Sequence, residues 1–105
     1  MRFTDRLQQL PSVQHLAAVQ VFAPDGALLA TIENKPGQAG SLAIYHALGA
    51  LYGGQLGPLA ATLGLEWYAE HTADALQHPG KHPNIDRLTA WAQGTDVYRL
   101  VPVPA

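Results

Sequence analysis

The residues best equipped for chemistry crowd into one stretch, HPGKHPNIDR, where His78, Lys81, His82, Asn84, Asp86 and Arg87 fall within ten positions of a chain only 13% charged. Histidine titrates near neutral pH and suits proton transfer, and the flat guanidinium of Arg87 matches a carboxylate or phosphate. Pro79 and Pro83 stiffen the connection and Gly80 permits a sharp reversal, so a ligand would freeze little loop freedom on binding. A helix starting just after it would add free N–H groups for an anion. The same residues also fit a purely architectural role. Pro79–Gly80 then ends one helix, His82 or Asn84 caps the next, Asp86 complements its dipole, and Arg87 pairs with an acid.

A second candidate is the loop Asn34-Lys35-Pro36-Gly37-Gln38-Ala39-Gly40-Ser41 between a strand and a helix. Gly37 and Gly40 would let backbone N–H groups approach a ligand, Lys35 would add charge, and Asn34 and Ser41 would add polar contacts. It is not a nucleotide-binding Walker loop, because Lys35 precedes the glycines instead of following them. Its architectural alternative is a tight connection with Ser41 as helix cap.

Other chemistries find less support. The chain has no cysteine, which removes disulfides, thiolate metal sites and cysteine nucleophiles. His71 and His78 share a helical face but sit ~10 Å apart along its axis, too far for one metal ion with bonds of ~2.1 Å. The His78/His82 pair spans Pro79 and Gly80, so it is not a helical metal pair. No metal and no cofactor is expected. A net charge of −2 and six scattered Lys and Arg residues argue against nucleic acid, so Trp67 and Trp91 read as core or interface residues. Neither serines nor threonines occupy a nucleophile elbow.

The elements that must position these residues can be read from periodicity. Residues 3–10 form an amphipathic helix with Thr4 as cap, Asp5 in its first turn and Pro11 as its stop. Ala17 to Glu33 reads as a β-hairpin turning at APDG, with Val19, Val21 and Ala17 on one face. A helix opening at Ser41 carries Leu42, Ile44, Tyr45 and Leu48 and stops at Gly53–Gly54. Pro58 opens another helix, which pauses at Gly64 and runs on towards Pro79. Pro83 to Ala92 is a further helix, and Val97 to Val101 a strand, with Pro102 at an edge or past its paired part. The order α-β-β-α-α-α-β predicts an α+β domain over residues 1–105: the hairpin and the C-terminal strand form a small antiparallel sheet, with three to four helices packed on one face.

Several segments together resemble a family of short, single-domain bacterial proteins classed only as a domain of unknown function: TIENKPG, GSLAIYHAL, AEHT, HPGKHPNIDRL and the closing VYRLVPVPA. The resemblance covers nearly the whole chain, and HPGKHPNIDRL is its most specific part. It implies a complete single domain, and it implies no reaction, cofactor or catalytic residue.

Two function classes follow. The leading expectation is a small soluble cytoplasmic binding or regulatory module acting through protein contacts, with another protein or as a homodimer, and with neither membrane nor nucleic acid as partner. The alternative is a small-anion-binding protein or enzyme using the two Gly/Pro/Lys loops. The alternative requires Lys35, Gly37, Gly40 and Ser41 to meet His78, Lys81, His82 or Arg87 around one pocket. The leading expectation asks instead for a contiguous exposed apolar patch.

Overall fold

A computed structural model describes residues 1–105. Its elements are α1 (Phe3–Gln9), β1 (Leu16–Phe22), β2 (Leu28–Glu33), α2 (Ala39–Leu51), β3 (Gln55–Leu56), α3 (Pro58–Tyr68), α4 (Glu70–Gln77), α5 (Pro83–Ala92) and β4 (Tyr98–Pro104). The four strands form one antiparallel sheet in the order β2-β1-β4-β3. This is the α+β arrangement expected, with the hairpin and the C-terminal strand in one sheet.

Alternation explains which side of the sheet is covered. Val19, Val21, Ile32, Leu56 and Leu100 are buried, while Gln20, Thr31, Arg99 and Val101 between them are not. The buried set joins Leu42, Ile44, Tyr45 and Leu48 of α2, and Ile85, Leu88 and Trp91 of α5, in one cluster of 17 residues. The helices therefore cover one face, as a strand period of two and a helical stripe demand. No helix is long and apolar enough to cross a membrane.

Local differences from the sequence reading have identifiable causes. Arg2, not Thr4, is the N-cap of α1; the Asp5 carboxylate accepts from the Arg2 N–H at 3.2 Å. Ala17 is exposed, because the β1–β4 register shifts between Leu16 and Ala18 and breaks the alternation there. α2 begins at Ala39 with Gln38 as N-cap, which leaves the Ser41 side chain free of capping.

Gly64 does not interrupt α3. A Cβ at that position would lie 2.8 Å from both Leu48 Cδ1 and Leu88 Cδ1, so the glycine lets α2, α3 and α5 approach closely. The break comes at Ala69, whose φ of 53° and ψ of −120° separate α3 from α4. β3 was not anticipated; it is a two-residue strand opposite Arg99 and Tyr98. Its shortness explains Pro102. β3 covers only the start of β4, so Pro102 lies where β4 has β1 on one side and no strand on the other, and its missing N–H costs no ladder bond.

Candidate functional site

The two loops converge. A cleft of about 350 Å³ is walled on one side by Thr31 of β2 and by Gly37, Gln38 and Ser41, and on the other by Lys81, His82, Asn84 and Arg87. The fold brings them together because β2 delivers the chain directly into α2, and α5 is tied back onto α2. The Tyr45 hydroxyl of α2 donates to the Asn84 backbone carbonyl at 2.6 Å. Beside it the Tyr68 hydroxyl donates to Ser41 Oγ at 2.7 Å. Burial pushes the Tyr45 hydroxyl up to about 12 and raises Tyr68 as well, so both stay protonated and serve as donors.

Arg87 is the group in this cleft with unspent capacity. Its Nη1 donates to Asn84 Oδ1 at 2.8 Å, which aims the guanidinium from the first turns of α5. No carboxylate lies within ion-pair distance of it, whereas Lys81 and His82 in the same cleft are both paired with Asp74. Its charge also reaches the buried Tyr45 and Tyr68 hydroxyls and opposes part of the shift caused by their burial. A half-buried guanidinium with free N–H groups and no acid beside it is chemically suited to a carboxylate or another anion.

The remaining basic groups are engaged by Asp74 on α4. Lys81 Nζ lies 3.0 Å from Asp74 Oδ2, and His82 Nε2 donates to the same oxygen at 2.6 Å. His78 Nε2 stands 3.8 Å from Asp74 Oδ1. The hydrogen bonds from His82 and Lys81 hold the Asp74 carboxyl at about 2, well below the usual carboxylate range. An Asp–His pair of this kind resembles part of a hydrolytic triad, but no hydrogen bond connects His82 to Ser41. Ser41 instead accepts from Tyr68, which leaves its oxygen without a base. The cluster is a clasp between α4 and the start of α5. No group of three or more metal-ligating side chains is gathered in the structure.

Several expected residues play other parts. Asn34 lies outside the cleft; its Nδ2 donates to the carbonyls of Val13 and Leu16 at 3.0 and 2.8 Å and fastens the entry to β1. Lys35 pairs with Glu33 at 3.4 Å and is also outside. Gly40 is under Phe3, where a Cβ would come within 2.9 Å of the ring, so its absence of side chain serves packing. His78 is exposed and contributes to the clasp alone. Asp86 accepts from the Gly80 N–H at 2.9 Å and shapes the turn. The start of α5 is mostly spent: Pro83 has no N–H, and those of Ile85 and Asp86 bond to the His82 carbonyl at 3.0 and 2.9 Å. Gly37, with φ of +88°, holds the loop in a conformation that favours glycine beside the cleft.

Sequence reasoning missed Thr31, Tyr45 and Tyr68, and named Gln38 only as part of the candidate loop without giving it a role. The tyrosines carried only a core signal, and Thr31 gave none, because its place depends on which strand ends the sheet. Comparison with curated proteins and with solved structures finds no match. The family described as an uncharacterized protein conserved in bacteria (DUF2322) matches residues 3–102, nearly the whole chain that builds both walls of this cleft, and the protein belongs to that family.

Proposed function

We propose that this protein is a binding module whose cleft takes a carboxylate on Arg87. The observation that carries the reading is the guanidinium itself, half-buried, aimed by Asn84 and without an acidic partner, at the point where the two loops meet. A singly charged ligand fits better than a phosphate dianion. Arg87 supplies one uncompensated positive charge, while Lys81 and Lys35 are held by Asp74 and Glu33. The fork of a guanidinium also matches the two oxygens of a carboxylate. With Ser41 accepting from Tyr68 and His82 tied to Asp74, the arrangement supports binding and supplies no activated nucleophile.

A cytoplasmic setting belongs to the same proposal, and fractionation of cells that make the protein tests it. The binding is tested by titrating propionate into 15N-labelled protein. The expected result is saturable movement of the Gly37, Ser41 and Arg87 signals with a Kd on the order of 1 mM, the affinity one charge-assisted contact supports. In Arg87→Gln the saturable component disappears. Unsaturable movement, or the same movement in Arg87→Gln, overturns the reading.

A further inference from the structure

The wall opposite Arg87 is the free edge of a sheet. β2 is the outermost strand, paired with β1 alone. The Asn34 N–H donates to the Ala17 carbonyl at 2.8 Å. In an antiparallel ladder bonded pairs alternate, so Val19/Ile32 and Val21/Ala30 face each other with bonds as well. Thr31, opposite Gln20, therefore turns its N–H and carbonyl away from β1, towards the cleft it lines. Glu33, two residues on, shows the same direction: its N–H is taken by Gln38 Oε1 at 3.1 Å and its carbonyl by the Lys35 N–H at 3.1 Å. The edge is thus closed at Glu33 and open at Thr31. Neither charge nor proline blunts it from Leu28 to Thr31, and Leu28 and Leu29 are 52% and 48% exposed. Edge strands ordinarily carry such protection.

We propose that the cleft is a docking groove for the C-terminal end of a partner polypeptide, which adds as a strand to β2 at Thr31 and places its terminal carboxylate on Arg87. The inference rests on the carboxylate reading above and names its source. Charge complementarity selects this occupant: one free guanidinium faces one chain-terminal carboxylate, and an open backbone edge asks for another backbone. The cleft, at about 350 Å³, is near the small end of ligand sites and holds a chain end better than a strand passing through. Hydrogen bonds to Thr31 supply affinity independent of sequence, and the carboxylate fixes register.

The probes are a pool of acetylated tetrapeptides with free C-terminal carboxylates, the same pool as C-terminal amides, the same pool N-methylated along its backbone, and propionate. With 15N-labelled full-length protein, the free-acid pool is expected to move the Thr31 and Arg87 signals together. It should bind about tenfold or more tightly than the amide or N-methylated pools, a difference of about 1.4 kcal/mol. Thr31→Pro, which removes the outward N–H, should lose the advantage of the free-acid peptide over its N-methylated form, while Arg87→Gln loses both ligands. Equal binding of acid and amide pools, or of N-methylated and parent pools, overturns the peptide proposal, and the N-methylated arm decides this even if Thr31→Pro fails to fold. Propionate binding without any gain from peptide overturns it and leaves the carboxylate reading standing. Loss of both sinks both.

Discussion

Asp74 and Arg87 show how differently two charges a few turns apart are used. Asp74 faces Lys81, His82 and His78, and its carboxyl is held at about 2 instead of 3.8 by hydrogen bonds from His82 and Lys81. A carboxyl whose folded value is depressed contributes stability that is present above its unfolded value and vanishes as pH falls through the folded one. The clasp between α4 and α5 should therefore stabilise the protein above about pH 4 and cease to do so by about pH 2. Acid titration of the wild type and Asp74→Asn, followed by denaturant unfolding, checks this: the wild type is the more stable above pH 4, and the two curves converge towards pH 2. A difference that stays constant across the window would mean Asp74 acts through shape rather than charge. Arg87 has no such partner, and that contrast is what the proposed carboxylate binding rests on. Arg87 falls in a polar stretch of the sequence, but which basic group there is left over depends on Asp74 arriving from another helix.

At the scale of elements, the strongly periodic segments were legible and the joints were not. The helix Pro83–Ala92 and the hairpin turn agree with the sequence reading, since Pro at a first turn and glycine at positive φ are local requirements. Periodicity alone puts the α3–α4 joint at Gly64, because glycine is the usual helix interrupter. In the structure Gly64 is demanded by Leu48 and Leu88, residues distant in sequence. The interruption falls instead on Ala69, which adopts a positive φ normally reserved for glycine. Strain of this kind costs on the order of 1–3 kcal/mol, against 0.5–1 kcal/mol of extra chain entropy that glycine loses on folding. Ala69→Gly should then stabilise the protein by about 1 kcal/mol, read as a raised denaturant midpoint with unchanged slope. A lowered midpoint would show that the Ala69 methyl earns more in packing than its backbone costs. β3 was invisible for a related reason. Two residues carry no period, and their strand character exists only because β4 returns alongside them.

At the scale of the whole molecule, function depends on convergence that no local pattern encodes. The chain crosses from β2 to α2 and returns through α5, and only that path sets Thr31, Ser41 and Arg87 around one cleft while Asn34, Lys35 and His78 turn elsewhere. Composition had limited the outcomes to a modestly charged domain without thiol chemistry, and it left a receptor for a single negative charge among them. The central claim is that Arg87 is that receptor. A crystal structure of the protein grown with propionate tests it most directly. The account predicts a carboxylate lying edge to edge with the Arg87 guanidinium, its oxygens about 2.7–2.9 Å from the nitrogens, between Ser41 and Asn84. A carboxylate bound elsewhere with the Arg87 guanidinium empty, or Arg87 closed onto an acidic side chain of its own chain, would contradict it.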